Sequence, residues 1–337
     1  MIIQLENTTS EAQIASIEAE IKALSYSPNL VTTQAGNYLV CIGKSELDPR
    51  KIGSIDGVKD IHRVSDDYKL VSAKWKVGHS TIDLGDDVKI GSGNFQIMAG
   101  PCSIENEEQI ECTVQHLVDN NIKIMRGGVF KPRSSPYSFQ GLGIDGLKIF
   151  YKHCRAAGIK IVTEVMEVDQ IAKMHDYVDI YQVGARNSQN FNLLNELGKV
   201  DKTVMLKRGI SGTLDELLHS AEYIFSSGNE RIMLCERGIR SYEKAYRNTM
   251  DINAIAMLKE RTHMPVVADP SHGIGIRKFV APVALACIMA GADAVIMEVH
   301  ETPQKAFSDG QQTLSHRQAQ KTYQNIRSTR EHFMGLT

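Results

Sequence analysis

Apolar and polar positions alternate in two regimes along the chain. In the first 65 residues, Ile2-Ile3-Gln4-Leu5, Leu30 to Thr33, Tyr38 to Ile42 and Val58 to Val64 read as strands. Between them, Ser10 to Leu24 repeats its apolar residues at helical spacing, and Pro49 to Ile55 fits a shorter helix. The predicted order is βαββαβ, the split arrangement of a ferredoxin-like unit, in which helices cover one face of a four-stranded sheet and the other face needs a partner. Residues 66–80 read as a linker. Thr81 to Leu84 and Val88 to Ile90, joined by Gly85-Asp86-Asp87, read as a hairpin placed to plug the bottom of a barrel. From Phe95 onward, apolar runs ending near Ala99, Arg126, Glu164, Gly184, Lys207, Glu236, Asp269 and Glu298 are each followed by a polar loop and a helix-compatible segment. They recur roughly every 28 residues, the period of a (β/α)8 barrel. The barrel is expected over 81–337, with its last helix at Ser315 to Phe333. An open doubly wound sheet is the alternative, but no G-x-G-x-x-G follows the first strand.

Composition narrows the class. A chain of 337 residues has room for a large domain and a small companion. A net charge of −2 provides no global basic field for nucleic acid. The six cysteines lack close paired spacing and read as reduced thiols of a cytoplasmic protein, and no charged-then-apolar leader opens the chain. The most apolar window, Phe279 to Met297, contains Pro282, Gly291 and Asp293, which fits a buried helix running into a strand rather than a membrane span.

In barrels of this kind the site lies at the C-terminal ends of the strands. Those ends carry GPCSIE (100–105), MRGG with KPRSS (125–135), TEV (163–165), VGARN (183–187), LKRG (206–209), CERG (235–238), DPSHG (269–273) and EVH (298–300), with SDGQQ (308–312) after them. One set is cationic: Arg126, Lys131, Arg133, Arg186, Lys207 and Arg237. Singly, each reads as a surface ion pair; gathered on one rim of a chain without net positive charge, they call for anions. A phosphate monoester carries roughly −1.5 to −2 charges, so two such groups and a carboxylate would bring about −4 to −5. The rim is therefore suited to two phosphorylated molecules, one of them an acid.

The second set is Cys102, His272, Glu298 and Asp309. In a closed barrel the eighth strand lies between the seventh and the first, so these four converge on one sector. Thiolate, imidazole and two carboxylates suit manganese, iron, cobalt or zinc, and suit calcium or magnesium alone poorly.

These motifs resemble, in order and spacing, the metal-dependent 3-deoxy-D-arabino-heptulosonate-7-phosphate (DAHP) synthases, most closely the short-barrel group with an N-terminal ferredoxin-like domain. The resemblance implies condensation of phosphoenolpyruvate with erythrose 4-phosphate and release of phosphate. It implies Cys102, His272, Glu298 and Asp309 as ligands of one divalent ion, with manganese first among the candidates. Arg126, Lys131, Ala185, Arg186, Lys207 and Arg237 would hold phosphoenolpyruvate, and Lys131, Pro132, Arg133 and Ser134 would meet the sugar phosphate. Ser134 stands where many relatives have Thr and keeps the hydroxyl. Lys131 is the candidate proton donor and Glu236 the candidate for orienting water. The resemblance further implies an aromatic amino acid as effector of the N-terminal unit and a homotetramer. The alternative inside the same fold is 3-deoxy-D-manno-octulosonate 8-phosphate synthase, which typically has Lys-Ala-Asn where this chain has Lys131-Pro132-Arg133.

Overall fold

A computed structural model describes residues 1–43, 49–76, 78–132 and 135–336. The N-terminal unit runs β1 (Ile2–Leu5), α1 (Glu11–Ala23), β2 (Ser27–Thr32), β3 (Asn37–Ile42), α2 (Pro49–Gly53) and β4 (Val58–His62), its antiparallel sheet ordered β2-β3-β1-β4. Ser10 opens α1 with a capping box closed by Gln13, satisfying donors that the first helical turn leaves free. Period-two alternation divides the sheet. Ile3, Leu5, Leu39 and Cys41 pack under Ile14, Ile17 and Ile21 of α1 and Ile52 of α2, whereas Ile2, Val31, Tyr38 and Val40 join the core shared with the barrel.

The connecting stretch 66–80 is itself packed. Tyr68, Leu70, Val71 and Trp75 are buried in that shared core, and the Trp75 indole donates to Leu70 O at 2.7 Å. Trp75 meets Tyr38 edge to face with ring centres 5.3 Å apart, while the Glu222 carboxylate accepts the amides of Leu70 and Val71. The face of the N-terminal sheet that needed a partner thus meets the outside of its own barrel through this segment.

The hairpin β5 (Ile82–Asp83) and β6 (Lys89–Ile90) precedes the barrel strands. Strands and helices then alternate as β7 (Gln96–Gly100), α3 (Glu107–Asp119), β8 (Ile124–Arg126), α4 (Gly143–Ala156), β9 (Lys160–Val165), α5 (Val168–Met174), β10 (Ile180–Val183) and α6 (Phe191–Leu197). The second half runs β11 (Thr203–Lys207), α7 (Leu214–Ser226), β12 (Ile232–Glu236), α8 (Ile252–Arg261), β13 (Val266–Ala268), α9 (Pro270–Ile274), α10 (Arg277–Met289), β14 (Ala294–His300), β15 (Leu314–Ser315) and α11 (His316–Met334). Strands β7 to β14 are parallel neighbours, and the β13–β14 and β14–β7 pairings close the ring. Ile82, Leu84, Val88 and Ile90 share one cluster with Met98, Ile124, Val162, Ile180, Met205, Met233, Val267 and Ile296, so the hairpin fills the lower end.

The expected strand ends lie within two residues of those observed. The DPSHG segment, expected as a loop, instead forms α9: Asp269 caps it by accepting from His272 N at 3.0 Å, and Pro270 takes a first-turn position where no donor is needed. The apolar window at 279–297 is most of α10 running into β14, and among the described residues no helix is long and apolar enough to cross a membrane.

Candidate active site

Alternation along the barrel strands decides which side chains reach the mouth. Two residues beyond the inward-facing Ile124, Val162, Ile180, Met205, Val267 and Ile296 come Arg126, Glu164, Gln182, Lys207, Asp269 and Glu298. At that height an apolar interior becomes a polar floor. Above it lies a cleft of about 280 Å³ lined by Arg126, Lys131, Pro132, Ala185, Arg186, Lys207, Arg237, His272 and Asp309, and also by Glu164, Gln182, Arg240, Arg247 and Asn248.

The cations divide into two groups. Arg126 pairs with Glu298 at 2.7 Å and Lys207 with Asp269 at 2.6 Å, all four side chains being buried. Burial alone would weaken the Arg126 charge, but Glu298, Cys102 and Asp269 together outweigh it and raise the guanidinium above its ordinary value. Burial likewise opposes ionisation of Asp269, yet His272 and Lys207 hold its carboxyl well below the usual range. In contrast, among the described residues no carboxylate lies within ion-pair distance of Lys131, Arg186, Arg237 or Arg240. Arg237 is buried, which lowers its pKa, and among the described residues its side chain donates only to the Gly238 carbonyl at 3.0 Å. A desolvated cation held this way is stabilised by an incoming anion.

Beside these charges lies the second set. Cys102 Sγ is 3.4 Å from Asp309 Oδ2, and ligand atoms of Cys102, Glu298 and Asp309 all lie within 4.8 Å of one another. His272 Nε2 adds to them at 3.5 Å from Glu298 Oε1 and 3.8 Å from Asp309 Oδ2. Its Nδ1 lies 2.8 Å from Asp269 Oδ2, off the hydrogen-bond axis. Donors bound at ~2.0–2.3 Å to one ion stand a few ångströms apart, so Cys102, Glu298 and Asp309 fit a single cation as they stand, while His272 borders the two carboxylates without joining that group. Burial pushes the Cys102 thiol up to about 12. An adjacent divalent cation is therefore what would ionise it at neutral pH. For Asp309 burial opposes ionisation, but Arg247 and His272 outweigh it and hold the carboxyl at about 2.

Lys131 joins the two sets. Its Nζ donates to the Cys102 carbonyl at 2.9 Å and approaches Cys102 Sγ at 3.1 Å. The glycines after Arg126 make that reach possible: a Cβ at Gly128 would stand 2.9 Å from Lys131 Cδ and 3.0 Å from Cys102 O.

Glu236, expected to orient water, does not line the cleft. Its carboxylate is buried between Arg208 at 2.9 Å and the Gly238 amide at 2.7 Å, an arrangement that shapes the turn carrying Arg237. Alternation accounts for this, because Cys235 and Arg237 point to one side of the strand and Glu236 to the other. Arg133 and Ser134 lie outside the described residues. Sequence reasoning placed Glu164 and Gln312 in motifs at the barrel mouth without giving them a role, and missed Arg240 and Arg247. For Glu164 a signal existed in its parity with Val162 and in Gly184, whose added Cβ would stand 2.0 Å from Glu164 Oε1. Arg240 and Arg247 sit in the irregular segment between β12 and α8, which carries no period to read.

Residues 73–333 match the model of the DAHP synthetase I family. The chain is 44% identical over 315 residues to the phospho-2-dehydro-3-deoxyheptonate aldolase of Thermotoga maritima, covering 93% of each chain. It is 33% identical over 242 residues to a 2-dehydro-3-deoxyphosphooctonate aldolase of Francisella tularensis, covering 66% of this chain and 86% of that one. Among solved structures, the crystal structure of the Thermotoga maritima phospho-2-dehydro-3-deoxyheptonate aldolase superimposes with a TM-score of 0.78 at 41% identity, covering 98% of this chain and 97% of that one. A truncated form of the Thermotoga 3-deoxy-D-arabino-heptulosonate 7-phosphate synthase matches with a TM-score of 0.74 at 43% identity, over 79% of this chain and 97% of that one.

Proposed function

This chain belongs to the DAHP synthetase I family, and from that premise we infer that it is a DAHP synthase. It condenses phosphoenolpyruvate with D-erythrose 4-phosphate and water and releases phosphate, the entry step of the shikimate pathway. The observation that carries this reading is the charge in the cleft: Lys131, Arg186, Arg237 and Arg240 have no carboxylate partner among the described residues, beside a cage of thiol, imidazole and carboxylates. Two phosphorylated substrates, one of them a carboxylic acid, bring the missing negative charge.

Within that reading Arg126, Arg186, Lys207 and Arg237, with Lys131 and the Ala185 backbone, hold the carboxylate and phosphate of phosphoenolpyruvate. Lys131 and Pro132, with Arg133 and Ser134, meet the sugar phosphate. Cys102, His272, Glu298 and Asp309 would hold one divalent ion, manganese first with iron, cobalt and zinc as alternatives, and when bound it supplies Lewis acidity toward the aldose carbonyl. The fixed cations hold the alkene carbon of phosphoenolpyruvate near that carbonyl. As the carbon–carbon bond forms, Lys131 gives a proton to the aldehyde oxygen. Water then adds to the former enol carbon and loses a proton, and the hemiketal phosphate releases phosphate by breaking its carbon–oxygen bond. Glu164, the carboxylate lining the cleft outside the four candidate ligands, is better placed than Glu236 to take that water's proton.

Gly184 tests this last assignment. A methyl group there has to displace the Glu164 carboxylate, so Gly184→Ala is expected to lower kcat by about tenfold or more while the melting temperature changes little. Unchanged kcat in a folded variant would remove Glu164 from the mechanism.

The second reading is synthesis of the eight-carbon sugar acid, which the 33% identical relatives keep in view. The basic and proline-containing Lys131-Pro132-Arg133 loop favours the shorter aldose. Phosphate release measured with phosphoenolpyruvate plus either erythrose 4-phosphate or arabinose 5-phosphate decides between them. A kcat/KM at least a hundredfold higher with erythrose 4-phosphate is expected, and a preference for arabinose 5-phosphate would overturn the assignment. We further assign residues 1–65 to regulation by an aromatic amino acid, 66–80 to the connection and 81–337 to catalysis, in a cytoplasmic homotetramer. Titrating tyrosine and phenylalanine into the same assay tests the regulatory part.

A further inference from the structure

Each carboxylate in the cage has two oxygens, and the structure uses them differently. Glu298 Oε1 and Asp309 Oδ2 face His272 Nε2; Oε1 also accepts from Arg126 Nη1 at 2.7 Å, and Oδ2 lies 3.4 Å from Cys102 Sγ. The other two oxygens are held from behind. Glu298 Oε2 accepts from Gln312 Nε2 at 2.7 Å, and Asp309 Oδ1 accepts from Arg247 Nη1 at 3.0 Å. The same Arg247 Nη1 donates to Gln312 Oε1 at 2.8 Å. Because an arginine only donates, it fixes which end of the amide accepts, so the Gln312 NH2 group must point at Glu298. The result is one directed chain from Arg247 through Gln312 to Glu298, with a branch to Asp309.

The local sequence builds this chain. Asp309 adopts a left-handed backbone conformation, φ 52°, which aspartate tolerates better than most residues. Its carbonyl accepts from Gln312 N at 3.1 Å and from the Thr313 hydroxyl at 2.9 Å, so the turn brings Gln312 back beside it. Gln312 is fully buried, and a buried amide is retained at low desolvation cost only where its groups are satisfied. Arg247 arrives from the segment between β12 and α8, which also carries the cleft arginines Arg237 and Arg240.

We propose that Arg247 and Gln312 are positioning residues for the metal-binding carboxylates, aiming Glu298 Oε1 and Asp309 Oδ2 into the cage from two different loops. The proposal rests on the metal site proposed above. Groups that orient ligands in this way typically change metal affinity by about 10–100-fold when removed.

The experiment measures Mn2+ binding to the full-length chain by electron paramagnetic resonance of the free ion, alongside kcat at saturating Mn2+ and the melting temperature. Gln312→Met keeps the volume and removes both hydrogen bonds. Arg247→Met, at a more exposed position, covers the case in which the first variant fails to fold. The expected result is Mn2+ affinity weakened about 10–100-fold in each folded variant, with kcat largely recovered at saturating Mn2+ in Gln312→Met and affinity partly rescued in Arg247→Lys. Wild-type Mn2+ affinity in the folded variants, with only the melting temperature lowered, would overturn the positioning role and leave the metal site standing. A wild-type chain that binds no Mn2+, or binds it as tightly after Cys102→Ala, would overturn the site and this inference with it.

Discussion

Replacing Lys131 by methionine is expected to lower kcat by about three orders of magnitude while the chain stays folded and phosphoenolpyruvate affinity changes far less. Methionine keeps an unbranched stem in the channel opened by Gly128, so packing is largely preserved. What is lost is the ammonium group, 3.1 Å from Cys102 Sγ and lining the same cleft as Arg186 and Arg237. A positioned general acid contributes about 10²–10⁴-fold, whereas one phosphate contact among several cations affects mainly binding. The two roles therefore separate kinetically. Near-normal kcat with only a raised KM for erythrose 4-phosphate would assign Lys131 to binding and not to proton transfer.

Much of this arrangement was legible in the sequence because the barrel strands repeat at one period and alternate at another. The roughly 28-residue spacing gave the closed sheet, and the strand ends gave Arg126, Lys131, Arg186, Lys207, Arg237 and the four cage residues. Charge pairing was not legible, since it depends on side-chain height above the floor: Arg126 and Lys207 are already matched by Glu298 and Asp269, while Arg186 and Arg237 are not. The same limit hid Arg247 and Gln312, which act from turns rather than from strands. Glu236 could have been oriented by parity with Cys235 and Arg237, and residue type outweighed that signal. The packing of Tyr68, Leu70 and Trp75 was missed for a related reason, because a short irregular segment can be buried without showing either period.

Stripping the divalent ion from the full chain with a chelator is expected to lower turnover at least a hundredfold, with recovery on adding Mn2+ and much weaker recovery on adding Mg2+. The fold should survive the treatment. Glu298 remains paired with Arg126 at 2.7 Å and Asp309 with Arg247 at 3.0 Å, so loss of the ion leaves neither carboxylate without a cation. The cage is therefore pre-organised by protein charges, and a bound ion would contribute to the reaction more than to stability. The expected preference among ions rests on Cys102: its thiol, pushed up to about 12 by burial, would be a soft donor once ionised, and magnesium would gain little from it. Cys102→Ser should accordingly weaken Mn2+ or Zn2+ binding and narrow the advantage of these ions over Mg2+. Circular dichroism and phosphate release on chelated protein, with residual metal checked by elemental analysis, measure both halves of the prediction. Full turnover in protein shown to be metal-free would end the assignment of Cys102, His272, Glu298 and Asp309 as ligands required for the reaction.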